Sequence, residues 1–232
     1  SKNKKKILCL FDMIDKNLTT QHYINYNLYD TIVITRNFEL FMKFQQYFPL
    51  THPEIYYNKL RILCNLAASR GYLCFIEYII ANTDTMWYGS ICTNAGIGGH
   101  KNIIEYALKN KYSLGTSFID QAVKHNHLEL IKWCFANIKK LKSFISLNTI
   151  RISLAQKNNE IIIFLFENWF KNIEKKEQLI YLAACEQNWL FINYFKDKLG
   201  VTSLDEKIQK ILVTYSVNLS HYKFVKNSFN FI

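Results

Sequence analysis

Apolar residues along this chain fall in pairs, and the pairs recur. Leu40-Phe41, Phe75-Ile76, Ile103-Ile104, Leu130-Ile131, Ile162-Ile163, Phe191-Ile192 and Phe224-Val225 are seven such pairs. Their second members lie 35, 28, 27, 32, 29 and 33 residues apart, a period of about 31. Three positions on there is usually another apolar residue, the spacing of one buried helical face. Nine and eight positions before each anchor stands a pair of mostly small or apolar residues: Ile32-Val33, Ala67-Ala68, Ala95-Gly96, Ala122-Val123, Leu154-Ala155, Ala183-Ala184 and Ser216-Val217. Each copy therefore reads as two short helices, the first ending near the small pair and the second carrying the apolar pair. Ser90, Ser117 and Thr149 are expected to cap the first helices. Gly71, Gly99, Asn126 and Asn158 are expected to make the turn between the two helices, because Gly and Asn tolerate a left-handed backbone.

Self-similarity at this period predicts an all-α, elongated solenoid of about six or seven irregular helix-turn-helix repeats, each burying its apolar face only against its neighbours. The array is expected over residues 28–232 as a single domain. Residues 1–27 are expected to be a basic tail, with a lone capping helix over Ile7–Ile14. Pro49 and Pro53 fall in the longest step and mark an irregular loop over 48–53.

The residues Ala67-Ala68, Gly71 and the Phe75-Ile76 helix, with Ala122, His127 and Leu128-Glu129-Leu130-Ile131, resemble ankyrin repeats. The resemblance covers roughly residues 28–230 and is strongest from 60 to 137. No copy has the proline of the ankyrin helix start, and steps of 27 and 28 residues leave reduced or absent β-hairpin fingers. The Ile, Asn, Lys, Tyr and Phe bias is similar to that of the divergent ankyrin arrays of large DNA viruses and amoebae. The resemblance implies a non-enzymatic module that binds a partner protein through its concave face and inter-repeat loops. A viral factor acting on host proteins, or a structural component of a virion, would both fit.

Composition adds a partner preference. The chain of 232 residues carries 29 Lys+Arg against 18 Asp+Glu, a formal charge of +11. Such a charge suits an acidic protein partner; a basic nucleic-acid-binding solenoid is the alternative. Lys139, Lys140 and Lys142, then Lys171, Lys175 and Lys176, occupy corresponding places between copies, with Phe144, Trp169 and Phe170 nearby. The longest uninterrupted apolar run, Ile161–Phe166, is far short of a membrane span. The apolar part of the lysine-rich start stops at Asp12, too early for a signal peptide. A cytoplasmic, intracellular protein is the expectation. The six cysteines include no Cys-x-x-Cys; Cys64, Cys92 and Cys134 fall in core slots, where Cys acts as a small hydrophobe. A reactive thiol stays open at Cys74 or Cys185.

Candidate chemistry dissolves into the repeat. The column after the turn reads Asn37, Tyr72, His100, His127, Asn159, Asn188 and His221, so its histidines are expected to hydrogen-bond across the inter-repeat turn rather than to catalyse or bind metal. Gly96-Ile97-Gly98-Gly99 has no preceding strand and is no dinucleotide loop. Glu77 and Glu105 share a column with Lys132 and Lys226, the mark of a solvated face. No cofactor, metal or catalytic residue is expected. Partner-binding candidates are loop residues: Met86, Trp87, Tyr88, Tyr112, Thr116, Lys139, Lys140 and Lys142. Trp87 and Tyr88 lie outside both helices, and aromatics of this kind dominate interface hot spots; alternatively they fold back over the groove between repeats. The apolar end Ser228-Phe229-Asn230-Phe231-Ile232 is expected to pack on a protein partner, a second copy or further chain.

Overall fold

The computed structural model describes residues 28–47, 49–50, 57–84, 86–170 and 176–199, with positions 5, 8, 9, 12, 210 and 214 singly. The expected capping helix, most of the proline loop, Lys171, Lys175, His221 and the C-terminal pentapeptide lie outside the described residues. The fold is all-α, and no strand occurs among the described residues. Two compact units, 1–121 and 122–232, divide within one helix.

Helices come in pairs. The first unit holds α1 (Leu28–Ile34) with α2 (Phe38–Tyr47), α3 (Tyr57–Ser69) with α4 (Leu73–Asn82), and α5 (Gly89–Gly98) with α6 (Lys101–Lys109). The division falls inside α7 (Phe118–Lys124), which is followed by α8 (Leu128–Asn137). The second unit continues with α9 (Leu147–Ala155), α10 (Asn159–Leu165), α11 (Lys176–Cys185) and α12 (Trp189–Leu199). Within each unit first helices pack on first helices, α1 on α3 on α5, and α9 on α11. Likewise α10 packs on α12. Rings join α2 to α4 edge-on, Phe38 and Phe41 meeting Phe75 at 5.2 and 5.0 Å between centroids. Phe135 of α8 meets Phe164 of α10 at 5.1 Å in the same way. Such pairs stabilise by about 1 kcal/mol each beyond their buried area.

One turn is repeated throughout. The residue with positive φ is Arg36, Gly71, Gly99, Asn126, Lys157 or Gln187. The next N–H reaches back to the first member of the small pair: Tyr72 to Ala67 O, His100 to Ala95 O and His127 to Ala122 O, each at 2.9 Å, Asn158 to Ser153 O at 3.2 Å, and Asn188 to Ala183 O at 2.9 Å. This bond closes each first helix on a left-handed residue and satisfies a carbonyl its own helix cannot.

The turn corrects the sequence reading in one copy. Lys157, not Asn158, adopts the left-handed conformation, and Asn158 caps α10 by accepting from Ile161 N at 3.3 Å. The buried pair is accordingly Ile161-Ile162, and the small pair is Ser153-Leu154, both fully buried. Asn159 leaves the column. With this register the last five described anchors are 76, 104, 131, 162 and 192, and the spacing from small pair to anchor is constant. Two expected caps are also corrected. Ser90 lies inside α5 behind the N-cap Tyr88 and gives its hydroxyl to Asn65 Oδ1 at 3.0 Å. Thr149 is the third residue of α9; the cap is Ser146, and the two close a reciprocal capping box.

Glycine matters most at Gly96. It lies inside α5, and a Cβ there would collide with the carbonyl oxygen of Phe118. The close approach of the α7 backbone is possible only because that side chain is missing.

Candidate functional site

The turn column works as scaffold. Asn188 is buried; its Oδ1 accepts from Phe191 N at 3.1 Å and its Nδ2 donates to Leu154 O of the preceding copy at 3.4 Å. Asn158 caps its own helix with Oδ1 while its Nδ2 donates to Asn126 Oδ1. His100 bonds through Nε2 to Ser69 O at 3.1 Å, one copy back. The expected hydrogen bond across the inter-copy turn is present at His100 and Asn188, and in the corrected copy it is made by Asn158 in place of Asn159. The amide and the imidazole are interchangeable there because both offer a donor at similar reach.

The predicted loop residues of the first unit come together in part. Trp87 lies flat on Tyr112, with centroids 4.9 Å apart and planes 12° from parallel. Its indole N–H donates to Ser113 O at 3.0 Å. Tyr106 of α6 completes the group, 5.8 Å from Trp87 and 6.2 Å from Tyr112. Trp87 thus does fold back, and it links two consecutive inter-copy segments. These approach closely where Gly89 meets the backbone of Gly115, itself at φ 71°. All three rings stay half-exposed, and Met86 beside them is 71% exposed. Tyr88 is half-buried as the α5 N-cap, and Thr116 is exposed. Desolvation, helped by Tyr112 and the Glu77 carboxylate, raises the Tyr106 phenol above its ordinary range. Glu77 and Glu105 are exposed as expected, Glu105 pairing with Lys101 at 3.2 Å.

Tyr106 was missed by the loop-centred reading. Its signal is a further column: two positions after each of the last five described anchors stand Tyr78, Tyr106, Trp133, Phe164 and Tyr194, all half-buried. Tyr194 donates to Glu167 Oε1 at 2.8 Å, and burial together with that carboxylate pushes its phenol up to about 12.

In the second unit Lys139 and Lys140 are exposed at the turn after α8, and the side chain of Lys142 lies outside the described residues. The turn is pinned by Ile138 N to Cys134 O at 2.9 Å, Leu141 N to Ile138 O at 3.0 Å, and the Ser143 hydroxyl to Lys140 O at 2.8 Å. Beside it Phe135, Ala136, Ile138, Lys139 and Leu141 line a shallow cavity of about 160 Å³.

Cys64, Cys92 and Cys134 are buried, and burial pushes the thiols of Cys64 and Cys92 up to about 12. Cys74 is exposed and Cys185 half-buried. Among the described residues no three His, Cys, Asp or Glu side chains are placed to hold a metal ion. Nor is any helix among them long and apolar enough to cross a membrane. Compared with known proteins, no family model matches the chain, and neither does any curated protein or solved structure.

Proposed function

We propose that the chain is an ankyrin-like repeat array that binds a partner protein and performs no chemistry of its own. The observation that carries this reading is the Trp87–Tyr112 stack with exposed Met86. Helix packing does not require large side chains in the inter-copy loops, yet Trp87 and Tyr112 are stacked across two of them and half-exposed, with Met86 exposed beside them. Rigid, amphipathic aromatics are the side chains that most often anchor an interface, because little conformational entropy is lost on binding. The repeated turn supports the ankyrin-like part, since it holds successive copies in one register and leaves the loops free to differ.

The test is affinity purification from the native cell with three forms of the protein. Wild type captures a defined partner; Met86→Asp, a change at an exposed side chain, and Trp87→Ala combined with Tyr112→Ala both lose it. Circular dichroism checks that each variant remains helical. Capture unchanged by Met86→Asp would sink the loop as the binding surface. Salt-sensitive retention of nucleic acid with no protein partner would favour the basic-solenoid alternative, and stoichiometric recovery with particles would favour a structural role in an assembly.

A further inference from the structure

We infer that the turn after α8 is a second docking point, which takes an acidic peptide segment of a partner through one apolar anchor side chain. This rests on the protein-binding reading above but uses different residues in the other unit. The cavity of about 160 Å³ is lined by Phe135, Ala136, Ile138, Lys139 and Leu141. It falls well below the roughly 300 Å³ at which small-molecule and cofactor sites begin, and matches one aliphatic or aromatic side chain. Its walls are fixed. Ile138 and Leu141 are 8% and 3% exposed, the turn is closed by the backbone bonds given above, and Phe135 is braced edge-on by Phe164. A preformed dent spares the partner the cost of ordering it.

The rim supplies the sign of the partner. Lys139 and Lys140 are exposed and, among the described residues, pair with no carboxylate. The basic residue on the solvent side of the preceding helix, Lys132, is by contrast matched by Glu129 at 2.8 Å. Adjacent unmatched cations around an apolar dent are complementary to carboxylates flanking a Leu-, Ile- or Phe-type side chain. A phosphate backbone would answer the lysines but leave the dent empty. Lys is moreover a point charge without the planar fork that suits phosphate recognition, and no Arg stands at this turn.

The experiment pans the full chain against a random dodecapeptide display library and measures the selected peptides by fluorescence anisotropy. The expected result is enrichment of peptides with Asp or Glu flanking one large apolar residue. Their binding should weaken at least about tenfold with Lys139→Glu plus Lys140→Glu, as expected when charges meet their like, and equally with Ala136→Trp, which fills the dent from an exposed position. Replacing the central apolar residue of a selected peptide by Ala should have the same effect. Affinity that survives Ala136→Trp or the central Ala makes the site a charge patch only and overturns the inference. So does a failure to enrich any such sequence, or tighter and equally lysine-dependent binding of single-stranded oligouridylate. Met86→Asp serves as the control: it leaves this binding unchanged, so that failure here and failure at the Trp87 loop are separately visible.

Discussion

At the scale of single residues, the asparagines of the turn column do two jobs with one side chain. Asn188 caps α12 and at the same time donates to Leu154 O from a buried position. Asn188→Ala removes the cap, worth about 1 kcal/mol, and with it the buried inter-copy bond to Leu154 O, worth about 1 kcal/mol net, although that carbonyl keeps Lys157 N–H as a donor at 2.9 Å. Urea unfolding should therefore show a loss of about 2 kcal/mol, twice that of an ordinary cap. Gly96 inverts a familiar rule. Gly to Ala inside a helix normally stabilises by up to about 1 kcal/mol, but Gly96→Ala forces a Cβ against Phe118 O, and the melting temperature should fall. The thiols give a pH signature. Cys64 and Cys92 titrate near 9 when unfolded and near 12 when folded. The folded state therefore holds protons that the unfolded state releases, and stability from this source is full below pH 9 and declines as pH rises toward 12. Replacing both by Ala should flatten that decline in urea titrations. In the native protein a thiol reagent should label Cys74 quickly and Cys64, Cys92 and Cys134 only on unfolding.

At the scale of elements, the turn decides how well each copy closes. Gly71 and Gly99 adopt positive φ without strain, whereas Lys157 at 53° and Gln187 at 53° place a Cβ against the following carbonyl. Lys157→Gly and Gln187→Gly should each stabilise the second unit by about 1 kcal/mol, seen as a higher urea midpoint. Gly71→Ala should do the opposite, since its Cβ would meet the His100 ring as well. The helix pairs were legible in the sequence because burial repeats at fixed spacing. The slip at Asn158 was not, because Ile161-Ile162-Ile163 offers two apolar pairs of equal merit. Only the cap bond from Ile161 N to Asn158 settles which one turns inward. Ser90 looked like a cap by residue type, but the chain enters α5 two residues earlier, through Tyr88. For the candidate site, Trp87 and Tyr112 were visible as aromatics without a core slot. That they meet depends on the Gly89–Gly115 approach, a contact between segments that no local pattern encodes.

At the scale of the whole molecule, the helices of each unit touch chiefly their own partner and the helices of the adjacent copy. In the repeat array proposed above, stability would be close to a sum of copies and nearest-neighbour contacts. Gly96→Ala should accordingly lower hydrogen-exchange protection in α3 to α6 more than in α9 to α12, a difference that a single uniformly cooperative core would not show. The surplus of 29 basic over 18 acidic residues acts at this scale too. It speeds encounter with acidic partners at low ionic strength and is screened within about 8 Å at physiological salt. Under the proposed partner binding, the lysines would select what approaches, and the aromatic loop and the apolar dent what stays.

The constant distance from the small pair to the buried pair also governs which changes of chain length the gene can survive. One residue inserted between Ala67 and Ile76 would rotate α4 by about 100° relative to its turn and swing Phe75 and Ile76 from the interior toward water. The same codon inserted between copies would leave each buried pair in place relative to its own turn. Replication errors that add or drop a triplet are therefore filtered by position, removed inside a copy and kept between copies. That filter is enough to produce uneven steps of 27 to 35 residues around an unvarying turn.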